Sequence, residues 1–191
     1  MKTEIIVLAD ESGSMHAVKD DANGAFDNFL AEQRAVPGEA RVTLVKFASA
    51  VKTVYEAIDV KTAPGMNLAP TGNTALYDAI GMTMNTQRDR IKQEGWADLV
   101  VFVVSTDGQE NASREFTLAG IKTMIQMAEE GGWKFIWLMS NQDAMESARM
   151  MGSLSTRSMS KAATGQGEHT SYSYASAETR SLRTEPAKDK P

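Results

Sequence analysis

Short apolar runs alternate along this chain with segments whose apolar positions recur every three or four residues. Glu4–Ala9, Arg41–Phe47, Val51–Ile58, Asp98–Ser105 and Lys134–Met139 have strand length. Within them Ile5–Leu8, Leu99–Val104 and Phe135–Met139 are almost continuously apolar, as expected of strands covered on both faces. Helical spacing joins Val18, Ala22, Phe26, Phe29 and Leu30 within the segment His16–Arg34. It also joins Leu76, Ile80, Met84 and Ile91, then Leu118, Ile121, Ile125 and Ala128, and Asp143–Met151 reads as a fourth helix. Such alternation predicts an α/β fold, a doubly wound and mostly parallel sheet with helices on both faces.

One connection departs from that rule. Only Ala48-Ser49-Ala50 separates the second strand from the third, too short for a parallel crossover. These two strands therefore form a hairpin, and Lys52, Thr53 and Glu56 mark the third as an exposed antiparallel edge. With right-handed crossovers elsewhere, the predicted strand order is 3-2-1-4-5. The topological switch then lies between strands one and four, where open sheets of this kind bind ligands beyond their carboxyl ends.

The pattern fades near the C-terminus. The expected division is a folded domain over 1–155 and a polar Ser/Thr/Ala-rich tail over 156–191, partly disordered or loosely packed, with one short helix near Ala175–Leu182. Charge divides in the same region: Gly152–Pro191 carries six Lys/Arg against four acids, a net +2 that leaves −7 for the rest of a chain whose total is −5. That acidic balance argues against a general nucleic-acid coat. No apolar run is long enough to span a bilayer, and Met-Lys-Thr-Glu leads directly into a strand, so the expected setting is the cytoplasm, with no membrane contact. The absence of cysteine removes disulfides, zinc-thiolate sites and thiol nucleophiles.

The candidate chemistry gathers at the predicted switch. Asp10-Glu11-Ser12-Gly13-Ser14 follows the first strand, and Ser105-Thr106-Asp107-Gly108 follows the fourth. Gly72-Asn73-Thr74 opens the second major helix. Two carboxylates (Asp10, Asp107) and three hydroxyls (Ser12, Ser14, Thr74) thus meet at one rim beside two helix starts. Hard divalent cations prefer such oxygen donors.

In order and placement, Asp10-Glu11-Ser12-Gly13-Ser14-Met15, Gly72-Asn73-Thr74 and Ser105-Thr106-Asp107-Gly108 resemble the three parts of a metal-ion-dependent adhesion site, the signature of von Willebrand factor type A domains. The resemblance covers residues 4 to about 151. It implies a Rossmann-like fold and a bound Mg²⁺, or else Mn²⁺ or Ca²⁺. Ser12 and Ser14 would hold the ion directly, Thr74 directly or through water, and Asp10 and Asp107 mostly through bound waters. It also implies a non-enzymatic module that docks an Asp or Glu of a protein partner. Asn73 departs from the glycine common in the family, and its side chain is expected to face away from the ion. Neutral hydroxyls leave most of the ion's charge uncompensated, so an outside carboxylate is attracted. Trp133–Ala144 resembles the later part of small bacterial and bacteriophage members, which for a phage protein means the host cytoplasm.

Several residues have plainer readings. Ser12, Ser14 and Thr74 could serve singly as helix caps, worth about 0.5–2 kcal/mol each, and Asp107-Gly108 is by itself an ordinary turn. His16 reads as a polar residue of the first helical turn rather than a ligand. Asp78 reads as a helix-surface or locally bonding residue. The tryptophans read as packing residues, whereas Met15, Met66 and Met151 could instead form a soft contact rim. Asn111-Ala112-Ser113 has the form of a glycosylation acceptor, idle without secretion. A Mg²⁺-dependent phosphohydrolase with Asp10 as nucleophile is the enzymatic alternative; Ser12 stands where such an enzyme has its second acid, and Lys134 lies at the wrong end of its strand. Self-assembly through the same site, with the carboxylate supplied by another copy, is the structural one.

Overall fold

The computed structural model describes residues 1–140 and 144–185. Nine elements occupy the region up to residue 140: strand β1 (Lys2–Asp10), a 3-10 turn (Gly13–Ala17), helix α1 (Lys19–Ala35), strands β2 (Glu39–Phe47) and β3 (Val51–Asp59), helix α2 (Leu76–Glu94), strand β4 (Leu99–Thr106), helix α3 (Leu118–Glu130) and strand β5 (Lys134–Ser140). Helix α4 (Ala144–Met150), strand β6 (Ser158–Lys161) and helix α5 (Gly165–Thr184) complete the described chain. The five expected strands and four expected helices are all present. Asp143, expected to begin the fourth helix, lies outside the described residues, as do Asn141 and Gln142.

The sheet has the order β3-β2-β1-β4-β5-β6. Its neighbours are parallel except for the β2–β3 hairpin. Successive residues of β1 point to opposite faces: Ile5 and Val7 enter the core beneath α1 and α5, while Ile6 and Leu8 enter the one beneath α2 and α3. All four are fully buried, which is why the run is continuously apolar. Parallel registers pair Asp10 with Phe47 and Ala9 with Ser105. The ends of β1 and β4 therefore lie side by side at the carboxyl edge.

The expected tail is corrected. Most of 156–185 is built into the fold, as the sixth strand and a twenty-residue helix. Tyr172, Ala175 and Leu182 of α5 are buried in the main core, and Tyr172 meets Phe26 and Phe29 edge-on at 5.9 and 6.3 Å. Gln33 donates to the Ser176 carbonyl and hydroxyl, and Arg183 donates to the Gln33 carbonyl at 2.7 Å. The buried face of α5 keeps helical spacing, but Glu168, Ser171, Ser176 and Thr179 occupy much of it. Small polar residues let α5 approach α1 closely, and they hide the stripe from a reading based on hydrophobicity.

The methionine rim is corrected as well. Met15, Met66 and Met151 are each at most 4% exposed and belong to the two cores.

Candidate metal centre

Asp10 is the last residue of β1, held with its side chain 1% exposed. One carboxylate oxygen accepts the Ser12 backbone N–H at 2.8 Å, and the other accepts the Thr106 hydroxyl at 2.6 Å. Burial, joined by the charge of Asp107, pushes its carboxyl above the ordinary aspartate range against the lowering effect of those bonds. The Ser12 and Ser14 hydroxyl oxygens lie 3.1 Å apart, and Ser14 donates to Asp107 at 2.8 Å. An oxygen-rich chain thus runs from buried Asp10 to the rim, where Ser14 is exposed and Asp107 half-buried.

Thr74 comes in from the second motif. Its backbone N–H donates to the Asn111 side chain at 2.9 Å, and its carbonyl accepts the Asn111 N–H at 3.0 Å. Its hydroxyl lies against Gly108, the residue after Asp107, so closely that a Cβ there would stand 2.8 Å from it. The Gly72 carbonyl accepts the Gly13 N–H at 3.0 Å, which ties the Thr74 loop to the Ser12–Ser14 turn. Gly72 has φ +68° and faces the Ser49 hydroxyl, a position suited to glycine. Asn73 is exposed, and Ser49 receives its backbone N–H.

These contacts weaken the capping explanation. Ser12 sits at the N-cap of the 3-10 turn without a side-chain capping bond. The N-cap of α2 is Ala75, not Thr74, and Ser14 donates its proton across 93 residues of sequence. Asp107 is likewise more than a local turn residue. The helix-surface or local-bonding reading of Asp78 is corrected: it is buried, and its carboxylate accepts the backbone N–H groups of Arg114, Glu115 and Phe116, 36 to 38 residues away in sequence. His16 is exposed in the 3-10 turn.

Several supporting residues carry little signal in the sequence. Glu11 receives the Ala69 N–H and pairs with Lys46 at 2.8 Å, pinning the loop that leads to Thr74. Thr106 orients Asp10, and Glu110 accepts the Tyr77 N–H while folding its own turn through Ala112 and Ser113. Beneath the site, Lys161 reaches both carboxylate oxygens of Glu168 at 2.7 and 2.8 Å and the Ser105 hydroxyl at 3.2 Å, with both charged side chains fully buried. The negative charges of Asp10 and Asp107 reach Glu168. Asn111→Ala is expected to leave the Thr74 N–H without its partner and to cost about 1–3 kcal/mol, measured by urea denaturation.

Among the described residues there is no cluster of three or more His, Cys, Asp or Glu suited to a metal. A cation here would rest on hydroxyls as much as on the two carboxylates.

No family model matches the chain, and no curated protein matches it by sequence. Solved structures do. The von Willebrand factor domain of the type V pili tip protein Mfa5 from Porphyromonas gingivalis superposes with a TM-score of 0.69 at 10% identity, covering 98% of each chain. Proximal thread matrix protein 1 from the mussel byssus, in a form with a zinc-occupied adhesion-site motif, gives 0.62 at 14% identity over 94% of this chain and 45% of its own. A von Willebrand factor type A protein from Catenulispora acidiphila gives 0.61 at 14% identity over 94% and 42%. The chain thus spans less than half the length of the mussel protein. Six strands in this order, one antiparallel edge and helices on both faces make this the von Willebrand factor type A fold.

Proposed function

We propose that the protein is a divalent-metal-dependent protein-binding module. Ser12, Ser14 and Thr74 hold Mg²⁺, supported by Asp10 and Asp107, and the ion receives an Asp or Glu carboxylate from a partner protein. The observation that carries this reading is the oxygen spacing. The Ser12 and Ser14 hydroxyl oxygens stand 3.1 Å apart, with Asp107 held beside Ser14 as its hydrogen-bond acceptor. Oxygens bound to Mg²⁺ at about 2.0–2.1 Å in an octahedron stand about 2.9 Å apart along its edges. The hydroxyls need little rearrangement to become adjacent ligands. The larger Ca²⁺ asks for longer bonds, which favours Mg²⁺ or Mn²⁺.

The bound ion would supply an uncompensated positive charge at an open position, and the chain's residues determine where that position faces. Asp10 is enclosed, while Ser14 and Asp107 reach solvent, so a partner approaches from the Ser14 side. The zinc-occupied motif of the mussel relative supports metal capture on this fold. Two features speak against the phosphohydrolase. Asp10 is too enclosed to attack a substrate, and Lys161, the lysine at the carboxyl end of a late strand, is fully buried and engaged by Glu168.

Protons and metal should compete at Asp10. The metal needs the ionised form, so affinity falls as pH drops through the Asp10 pKa. Because burial raises that pKa, the fall is expected at higher pH than for an exposed aspartate near about 3.9. In metal-free protein the linkage has the opposite sign: a raised native pKa gives stability at low pH that is lost as pH rises through it. Mg²⁺ titrations across pH, alongside metal-free melting curves, check both slopes. The reading itself is tested by capture on the immobilised chain. Partners retained in Mg²⁺ and released by EDTA are expected; retention indifferent to EDTA would contradict it.

A further inference from the structure

A groove of about 280 Å³ opens beside the site, walled by Leu76, Tyr77, Gly108, Leu118, Met139 and Met151. Its walls continue two of the site's own motifs. Leu76 and Tyr77 follow Thr74 into α2, and Gly108 joins Asp107 to the turn while pressing on the Thr74 hydroxyl. The groove therefore borders the candidate site through Gly108 and the start of α2. Leu76, Met139 and Met151 are at most 4% exposed and form an apolar floor, while Met150, 57% exposed, stands at the rim.

The lining also includes Gln109, Glu110 and Ser147, and of these Glu110 is turned to its own loop. The Glu110 carboxylate accepts the Tyr77, Ala112 and Ser113 N–H groups and the Ser113 hydroxyl. With Asp107 next to the opening, a second acidic side chain would meet negative charge without a cation. The volume lies just below the range of about 300–1,000 Å³ typical of whole small-molecule sites, and it suits one large side chain. Unbranched, polarisable methionine walls adapt to such a guest.

We infer that this groove is a second recognition subsite, which takes a large apolar side chain (Leu, Met, Ile or Phe) lying one or two residues from the docked carboxylate of the partner. The inference rests on the metal-dependent docking proposed above and narrows its ligand class to an acidic residue beside an apolar one. A segment with serine in place of the apolar residue would be bound about tenfold or more less tightly, the effect of leaving one large apolar side chain unburied.

A random twelve-residue peptide library, displayed multivalently, tests this on the full chain in Mg²⁺ with elution by EDTA. The expected pool carries Asp or Glu with Leu, Met, Ile or Phe one or two positions away. A synthetic peptide from that pool should shift the methyl signals of Met139, Met150 and Met151 in methionine-methyl-labelled protein. Its serine-substituted form should bind about tenfold or more weakly, and Leu118→Glu should weaken the apolar peptide while Mg²⁺ affinity is retained. EDTA-eluted acidic peptides with no apolar preference, or binding that leaves those methionine signals unmoved, would overturn the subsite and leave metal-dependent docking standing. A pool with no EDTA-eluted acidic peptides would overturn both.

Discussion

Asp10→Ala is expected to remove Mg²⁺ binding and partner capture together while the fold persists. Asp10 anchors the site from below, fixing the Ser12 N–H and the Thr106 hydroxyl with its two oxygens. Without it, both motifs lose the group that orients them, and the site loses one of its two carboxylates. Substituting residues that orient ligands typically costs about 10–100-fold in metal affinity, and the lost charge places this change at or beyond the upper end. The fold should survive, because burial already disfavours the Asp10 charge and the surrounding strands are held by extensive ladders. Unfolding in EDTA should resemble that of the unaltered chain, whereas calorimetry with Mg²⁺ should detect no binding. A partner that still binds Asp10→Ala in chelator would exclude carboxylate docking.

Lys161→Met is expected to be strongly destabilising. It leaves Glu168 fully buried without its cation, and breaking a buried pair in this way costs about 3–5 kcal/mol. For a chain of this size each kcal/mol shifts Tm by about 2–4 °C, so a drop of about 6–20 °C is predicted. The double variant Lys161→Met with Glu168→Leu should recover most of the loss, since well-packed apolar replacements of buried pairs are often neutral. Thermal unfolding of the two variants separates the cost of an orphaned charge from a generic loss of packing. Equal destabilisation by both would show that the pair matters through shape alone.

Much of the fold and the outline of the site were legible in the sequence because they rest on strong local signals. Buried parallel strands must be apolar at every position, so Ile5–Leu8 and Leu99–Val104 stood out, and a three-residue connection forced the hairpin. The placing of the candidate site's residues was legible for a different reason: Asp10, Ser12 and Ser14 are spaced by two, at a place where alternation of strand and helix fixes the carboxyl edge. What escaped detection has weak local signals. β6 is four residues long, Ser-Met-Ser-Lys, and gains its partner from β5 alone. α5 packs through Ser171, Ser176 and Thr179, whose fit depends on the distance to α1. The Lys161–Glu168 pair resembles ordinary surface charge in sequence, and only the parallel register of β6 carries it under Ser105. The Asn111 clamp on Thr74 likewise depends on two loops meeting 37 residues apart.

The central requirement is an ion held by alcohols and left short of negative charge. Isothermal titration of the full, metal-stripped chain with MgCl₂ at neutral pH addresses that directly. A saturable heat with one ion per chain is predicted, and the absence of any heat with either Mg²⁺ or Mn²⁺ would contradict it.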